Sequence, residues 1–352
     1  MHCPHQAISR IGLAVALCLP FTQAQAQPTP TPQTSAEAVV AAATAAAGAN
    51  LATSKVTSPP TGKVAGQSRR AGGDPVDDRV ELRTYQFTNT DETLPYAVFV
   101  SSKATKDKKA PLVLALHGMG GNYGTFMRTA CVDEAEKNGF ILVGPMGYSP
   151  NGPFGMQFGM AGRGRGGPGG IGGRGGPGTN APAAMGTNQV ARGRGFGRGP
   201  AMGGTKETDS AKVAELSELD AITVLAMARK EFNVDENRIY LMGHSLGGGG
   251  SLHMGEKYAF IWAGVAALAP AAFGFQWTAD SKLQDVPLLI IQGDADTMVR
   301  PAGSQQLSEQ LKGLKFQSDY KLLPGLDHGG IIAGAMPDVF NFFGQHTKPA
   351  AK

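Results

Sequence analysis

The sequence predicts an α/β fold in which helices cover both faces of a mostly parallel sheet. From residue 111 onward, short continuous apolar runs alternate with stretches of helical spacing, as in the βα units of a parallel sheet. The first unit comprises an apolar run at 111–116, a helical stretch at 126–138 and a second run at 140–143. Because such crossovers are right-handed, the two runs are expected to be parallel strands of one sheet.

An antiparallel hairpin is predicted at the start of this domain. Residues 80–87 alternate between apolar and polar side chains, and residues 96–100 are again strand-like. Between them, residues 89–92 read Asn-Thr-Asp-Glu, which predicts a turn. We therefore expect the folded domain to span residues 76–348 and to open with two antiparallel strands.

The alternation of helices and strands continues to the end of the domain. An amphipathic helix is predicted at 217–232, a turn at 233–237 and a buried strand from residue 238. Three further strands and a last helix are predicted at 263–269, 287–291, 320–323 and 331–343.

Two segments precede the domain. Residues 1–26 contain Arg10, an apolar stretch and an Ala-Gln-Ala sequence, which is typical of a cleaved secretory signal peptide. The apolar stretch is too short for a membrane span, so we expect a secreted or periplasmic protein without a transmembrane segment. Residues 27–75 have few large apolar side chains, so a disordered Ala/Pro/Thr-rich tail is expected, with a transient helix possible at 36–47.

The three cysteines exclude an internal disulfide in the mature chain. Cys3 and Cys18 lie in the predicted signal peptide, which leaves Cys131 alone. Its place in a helical stretch predicts a buried thiol without a redox role.

A glycine- and arginine-rich segment interrupts the domain at residues 152–204. It contains no Asp or Glu, so the positive character of a chain with a formal net charge of +4 is concentrated there. This composition predicts a flexible surface insertion. Binding of RNA or another polyanion by these arginines is an alternative function, but few aromatic side chains are available for stacking on bases. We expect no specific nucleic-acid partner.

The strongest chemical signal lies at residues 238–248, where a buried strand leads into a serine bounded by glycines. Gly243-His-Ser245-Leu-Gly247 has the G-x-S-x-G spacing of a nucleophile elbow, a tight turn from strand to helix. Such a turn predicts a positive φ for Ser245 and little room for side chains at Gly243 and Gly247. The pattern alone also fits a glycine-rich turn, so a base and an acid must be sought elsewhere.

A serine hydroxyl becomes a strong nucleophile when an imidazole accepts its proton. His328 is the predicted base, because it directly follows the predicted strand at 320–323; a solvent-exposed turn histidine is the alternative. The imidazole needs a carboxylate to hold its tautomer. Asp296 is the predicted acid because it lies further along its loop than Asp294, which stays the alternative.

The pair Asp294 and Asp296 also fits a metal-binding D-x-D sequence. No other residues nearby complete a set of metal ligands, so we expect neither a metal nor a cofactor.

Backbone N–H groups are expected to stabilise a developing oxyanion. Leu246, directly after the serine, is predicted to supply one, and Met119 in the His-Gly-Met-Gly loop to supply the other. The glycines of that loop also fit a simple tight turn. Side chains expected to line the substrate pocket, with ordinary packing as the alternative, are His117, His244, Phe273 and Trp277.

Taken together, these motifs resemble the α/β-hydrolase superfamily, and within it secreted esterases of the feruloyl esterase and polyhydroxybutyrate depolymerase type. The matching sequences are LHGMGG at 116–121, RIYLMGHSLGG at 238–248, GDADTMVRP at 293–301 and DHG at 327–329. The resemblance implies an α/β-hydrolase fold and an acyl-enzyme mechanism on a small-molecule or polymer ester. A serine peptidase of the prolyl-oligopeptidase type is the alternative that shares this chemistry. The sequence does not predict an oligomeric state.

Overall fold

A computed structural model describes residues 35–57, 75–157, 205–272 and 275–348. The predicted signal peptide at 1–26 and most of the predicted insertion at 152–204 lie outside these residues. In chain order the described elements are α1 (Ala36–Thr53), β1 (Lys55–Val56), β2 (Glu81–Phe87), β3 (Glu92–Val100), β4 (Ala110–Leu116), α2 (Thr129–Asn138), β5 (Ile141–Pro145), α3 (Ser210–Glu231), β6 (Val234–His244), α4 (Leu246–Lys257), β7 (Gly264–Leu268), a 3₁₀ turn (Lys282–Asp285), β8 (Leu288–Gly293), α5 (Pro301–Gly313), β9 (Ser318–Leu323), α6 (Ile331–Gly334) and α7 (Met336–Gln345).

The strands of the described residues form one sheet in the order β1-β2-β3-β5-β4-β6-β7-β8-β9. The pairs β1–β2, β2–β3 and β3–β5 are antiparallel, and all pairs from β5 to β9 are parallel. The predicted mostly parallel sheet with an antiparallel N-terminal hairpin is therefore confirmed. The apolar runs of β4, β5, β7 and β8 are buried along their whole length, because the sheet is covered on both faces.

Each face of the sheet carries its own apolar core. One core includes side chains of α3, α4 and α5, with α1 packed against its rim. The other includes side chains of α2, α6 and α7, and it contains the buried, free Cys131, as predicted. Among the described helices, none is long and apolar enough to cross a membrane.

Several element boundaries differ from the prediction, among them those of α3, β6 and the last helix. Helix α3 begins at Ser210 rather than 217, because Asp209 caps it by accepting a hydrogen bond from the Lys212 N–H at 2.9 Å. Strand β6 begins at Val234, inside the predicted turn at 233–237, since Val234 pairs with the start of β4 before a register shift. The single predicted last helix is divided into α6 and α7, and α7 begins with a proline in its first turn.

The disordered tail expected at residues 27–75 is wrong for the part of it that forms α1 and β1. Ser35 caps α1, Ala47 and Asn50 are buried, and the helix packs against α3. Strand β1 then adds to the edge of the sheet, with Lys55 opposite Thr84 of β2. The prediction counted large apolar side chains, whereas alanine combines the highest helix propensity with a small side chain that permits close packing of helices.

The expected insertion is also wrong at its start, because residues 152–156 pack against the domain. Phe154 is fully buried, and its N–H donates a 2.7 Å hydrogen bond to Ser217 Oγ. The Gly155 N–H donates to the Ala214 carbonyl at 2.9 Å. The glycine-rich composition predicted that this range would not pack, but Phe154 and Met156 within it have enough apolar surface to be buried.

Candidate active site

The three residues predicted to act together lie at one edge of the sheet. Ser245 follows β6, Asp296 follows β8 and His328 follows β9. These strands are parallel, so their carboxyl ends meet at the same edge, which is where open α/β sheets bind ligands.

Ser245 occupies the sharp turn that its neighbouring glycines predict. Its φ and ψ are 56° and −116°, a combination that costs a non-glycine residue about 1–3 kcal/mol. A Cβ atom at Gly243 would overlap the carbonyl of Gly247, and one at Gly247 would overlap the carbonyls of Leu116 and His117. Both glycines are therefore required by close backbone contacts, and the turn directs the serine side chain away from the sheet.

Hydrogen bonds join Ser245, His328 and Asp296 in a row. His328 Nε2 lies 2.9 Å from Ser245 Oγ, and His328 Nδ1 lies 2.8 Å from Asp296 Oδ2. A carboxylate oxygen only accepts, so Nδ1 carries the proton and Nε2 presents its lone pair to the serine hydroxyl. The structure thus brings together the nucleophile, base and acid that the sequence predicts.

Asp296 is held as a buried, ionised carboxylate. Its Oδ1 accepts hydrogen bonds from the Met298 and Val299 N–H groups at 2.8 and 2.9 Å. Burial acts to raise the pKa of Asp296, but the hydrogen bonds from His328 and these N–H groups outweigh it and lower the pKa below its ordinary value. Asp294, the alternative acid, is exposed and accepts a 2.6 Å hydrogen bond from the Gly325 N–H.

Gln292 belongs to the site and was not found from the sequence. Its Nε2 donates to Asp296 Oδ2 at 3.0 Å and to the Val299 carbonyl at 3.0 Å, while its Oε1 accepts from Ser304 Oγ at 2.7 Å. Asp296 Oδ2 thereby accepts from Gln292 and His328 together. The available signal was a polar residue near the end of an otherwise aliphatic buried strand.

The two predicted oxyanion donors lie on either side of Ser245. Leu246 is the first residue of α4, and a Cβ atom placed on Gly118, next to Met119, would lie 3.2 Å from Ser245 Cβ. Within the described residues, neither the Met119 N–H nor the Leu246 N–H donates a hydrogen bond to another protein group. Neither N–H group is thus used by the fold in the described residues, and their role as oxyanion donors stays a prediction.

His244, expected to line the pocket, contacts the main chain of His328, and its pocket role stays a prediction. The ring is buried, and its Nε2 donates a 2.7 Å hydrogen bond to the His328 carbonyl. Burial, together with the neighbouring His328, lowers the pKa of His244 to about 4, so the ring is neutral near pH 7. Its place beside the serine in sequence suggested the pocket, but the turn directs this side chain inward.

His117, the other histidine expected in the pocket, is also buried and bonded to main-chain groups. Its Nδ1 lies 2.8 Å from the Gly118 carbonyl oxygen, and its Nε2 lies 2.7 Å from that of Met146. The Phe154 ring meets it edge-on at 5.4 Å. Both ring nitrogens are therefore occupied by main-chain groups, and the pocket role expected for His117 stays a prediction.

The aromatic pocket candidates do not join the site in the described structure. Phe273 lies outside the described residues. Trp277 is buried, stacks on Phe275 at 5.2 Å and meets Phe316 edge-on at 5.8 Å. Phe316 precedes β9 and lies toward the amino end of the strands, opposite the Ser245 edge. The pocket role expected for Trp277 is wrong, since the loop carries this ring into the core.

The described residues include no group of three or more His, Cys, Asp or Glu side chains that could hold a metal ion. The hydrogen-bonded row supplies a serine whose proton has an acceptor, and the Gly118 backbone comes close to the same serine. This arrangement suits attack on a carbonyl carbon.

Comparison with solved structures shows the α/β-hydrolase fold. An S-formylglutathione hydrolase from Agrobacterium tumefaciens has a TM-score of 0.51 and 18% identity, over 76% of this chain and 94% of that one. A CE1 ferulic acid esterase from Anaeromyces mucronatus has a TM-score of 0.51 and 18% identity, over 75% and 90%. A thermostable esterase has a TM-score of 0.50 and 16% identity; this chain spans 64% of its length, with 78% of this chain covered. No family model and no curated protein matches the sequence.

Proposed function

We propose that this chain is a carboxylic-ester hydrolase that works through an acyl-enzyme on Ser245. The observation that carries the proposal is the row of hydrogen bonds from Ser245 Oγ through His328 to Asp296, with distances of 2.9 and 2.8 Å. The esterases and S-formylglutathione hydrolase that share its fold support the same reaction class.

In the first half-reaction, Ser245 Oγ attacks the ester carbonyl while His328 Nε2 accepts the serine proton. Asp296 stabilises the imidazolium, and it stays ionised because its pKa is lowered. The protonated His328 then gives its proton to the departing alcohol, which leaves the acyl group on the serine. Water, deprotonated by His328, attacks this acyl-enzyme and releases the acid in the second half-reaction.

The negative charge that forms on the carbonyl oxygen needs donors in place before the reaction. The N–H groups of Met119 and Leu246 are proposed to supply them, which follows from their position beside Ser245 and from their lack of another partner among the described residues. Removal of one such donor typically lowers kcat about 100- to 1000-fold.

The loops of the site present two exposed thioether side chains. Met119, in the proposed oxyanion loop, is 70% exposed, and Met298, two residues after the proposed acid, is 74% exposed. Flexible apolar side chains of this kind adapt to varied apolar groups. We infer that the substrate is an ester with an apolar or aromatic acyl group, either a free small molecule or part of a polymer. If residues 1–26 act as the predicted signal peptide, the enzyme acts on this ester outside the cytoplasm.

The test is hydrolysis of p-nitrophenyl esters from acetate to decanoate, and of methyl ferulate, by the wild-type chain and by Ser245→Ala. We expect Ser245→Ala to lose turnover with an unchanged Tm. Ser251→Ala is a matched control, because Ser251 is buried in α4 and its Oγ donates to the Gly248 carbonyl.

Retained turnover in Ser245→Ala would refute the serine mechanism. If the wild-type chain hydrolysed peptide p-nitroanilides but none of the esters, the serine peptidase would replace the esterase. The acyl chain length with the highest kcat/KM would indicate the length of acyl chain that the pocket accommodates.

A further inference from the structure

We propose that His117 is a positioning residue for the oxyanion loop, protonated on both ring nitrogens and linked through one peptide group to the carboxylate of Asp220. The proposal rests on the proposed function, because it assigns a role to the loop that carries the Met119 N–H. It adds two buried residues, 117 and 220, that do not touch the substrate.

The first link joins His117 to the oxyanion donor. Its Nδ1 donates to the Gly118 carbonyl at 2.8 Å. That carbonyl belongs to the same peptide group as the Met119 N–H, and in a trans peptide the two point in opposite directions. Because the carbonyl is fixed toward His117, the Met119 N–H is fixed on the other side.

A second hydrogen bond supports the same peptide group. The Gly118 carbonyl also accepts from the Gly121 N–H at 2.9 Å. Both donors act on one oxygen, so rotation of the Gly118–Met119 peptide would break two hydrogen bonds at once. The plane of this peptide, and hence the direction of the Met119 N–H, depends on His117.

The second link joins His117 to Asp220. His117 Nε2 lies 2.7 Å from the Met146 carbonyl oxygen, and the N–H of Gly147, in the same peptide group, donates to Asp220 Oδ2 at 2.6 Å. Asp220 is fully buried on α3 and also accepts from Tyr85 Oη at 2.6 Å and from the Tyr148 N–H at 3.2 Å. A single peptide group therefore lies between the imidazole and a buried carboxylate.

The contacts of His117 determine its protonation. Both ring nitrogens face carbonyl oxygens, which only accept hydrogen bonds, so a neutral ring would place a lone pair against one of them. Burial lowers the pKa of His117, and the two carbonyls act in the opposite direction. The two carbonyl contacts require both ring N–H protons, and Asp220, whose pKa is raised by burial to about 6 and which is therefore ionised above neutral pH, supplies the opposite charge across the peptide.

The chain of hydrogen bonds has a consequence for catalysis. Successive hydrogen bonds in a low-dielectric interior polarise one another, so a cation at His117 strengthens the Met119 N–H as a donor. The added stabilisation of the oxyanion by the Met119 N–H appears only as charge develops on the substrate oxygen. It should therefore affect kcat rather than KM.

The first measurement uses the wild-type chain and needs no catalysis. Nitrogen-15 NMR of labelled histidine rings at pH 8 should show one imidazole protonated on both nitrogens, whereas a histidine of ordinary pKa is neutral there. His117→Asn should remove this signal and thereby assign it, and Asp220→Asn should convert it to a neutral ring. A spectrum without a doubly protonated ring at pH 8 would overturn the proposal.

The second measurement separates positioning from folding. Asn at 117 can keep a donor near the Nδ1 position, while Leu cannot, so we expect kcat to fall about 10- to 100-fold in His117→Leu and clearly less in His117→Asn, with KM within about twofold. Affinity for an aryl boronic acid, whose adduct carries the tetrahedral oxyanion, should fall in parallel with kcat. Equal kcat in wild type and folded His117→Leu would refute the role, and so would equal losses in His117→Leu and His117→Asn.

These outcomes are distinct from failure of the proposed function. If Ser245→Ala retained turnover, the esterase mechanism would fail while the NMR result at His117 stood. If turnover depended on Ser245 but not on His117, only the present inference would fail.

Discussion

Asp296 and Asp294 are two residues apart, yet their burial and hydrogen bonds differ. Asp296 is buried, and each of its oxygens accepts at least two hydrogen bonds, including the one from His328. Asp294 is exposed and accepts one hydrogen bond, from the Gly325 N–H, across its loop. Only Asp296 has a geometry that fixes the tautomer of His328.

Asp296→Asn should therefore lower kcat by about 1000- to 10000-fold, the range seen when the acid of such a row is converted to an amide. The new amide N–H₂ would face donors, and His328 would lose the tautomer that leaves Nε2 free. Asp294→Asn keeps an acceptor for Gly325 and serves as the matched control, with kcat within about threefold. Steady-state kinetics on the best p-nitrophenyl ester decides between them, and a larger loss in Asp294→Asn would transfer the acid role to that residue.

His244 makes stability depend on pH in a defined window. Its pKa is lowered to about 4 in the folded chain, against an ordinary 6.5, because burial and His328 disfavour the charged ring. Between these values the unfolded chain binds a proton that the folded chain does not. The free energy of unfolding should therefore fall as pH falls from about 6.5 to about 4, by at most about 3 kcal/mol from this group.

Urea unfolding of wild type and His244→Gln at pH 7, 5.5 and 4.5 measures this contribution. Glutamine can still donate to the His328 carbonyl but does not titrate, so the variant should lose less stability between pH 7 and 4.5 than the wild type. Equal losses would show that His244 is protonated in the folded chain over this range.

Helix α1 is the element on which composition and structure disagree most. Ala47 is fully buried where α1 packs on α3, and Ala45 on the same helix is exposed. Gly48 lies near the Lys230 side chain of α3, since a Cβ atom there would lie 3.2 Å from Lys230 Cε. A packed helix predicts that a charge at Ala47 is destabilising and a charge at Ala45 is not, whereas a disordered tail predicts no difference between the two positions.

Ala47→Glu should destabilise the docked helix by about 2 kcal/mol or more, because it places an unpaired charge and a larger side chain in a buried contact. Ala45→Glu, the matched control, should change stability by less than about 0.5 kcal/mol. Hydrogen exchange of the α1 amides reports undocking, and chemical denaturation reports the global effect. If the α1 amides exchanged at the same rate in both variants and in the wild type, α1 would not be docked, and the prediction of a disordered tail would hold for this segment.

The parts of the fold and site that could be predicted depend on local patterns. The strand at 111–116 is a fully apolar run, the strand before Ser245 is apolar at 239–242, and Ser245 lies in a turn whose glycines are required by sterics. His328 and Asp296 could be found because each follows a strand. Gln292 and Asp220 could not be found in this way. Each looks like an ordinary polar residue until the fold brings it within hydrogen-bond distance of Asp296 or of the Gly147 N–H.

The boundary between domain and insertion is a second place where composition alone misled. Phe154 falls inside the glycine-rich range that begins at residue 152, yet it is fully buried against His117 and the first turns of α4. On the returning side, the N–H groups of Lys206 and Glu207 donate to Glu92 and to the Tyr148 hydroxyl at 2.9 and 3.2 Å. The domain therefore extends into the predicted insertion at its start, and on the returning side these contacts begin just after its predicted end at residue 204.

Removing residues 160–200 and joining the ends should thus leave a folded domain. Each halving of a flexible loop lowers its closure cost by about 0.6 kcal/mol, so the free energy of unfolding should be unchanged or higher by up to about 2 kcal/mol. Phe154→Ala in the full chain should instead lower it by about 3–5 kcal/mol, because it empties a buried site. Urea denaturation of the two variants compares them directly. A large decrease in the free energy of unfolding on deletion would mean that residues 160–200 pack against the domain. A small decrease for Phe154→Ala would mean that residues 152–156 belong to the insertion and not to the packed domain.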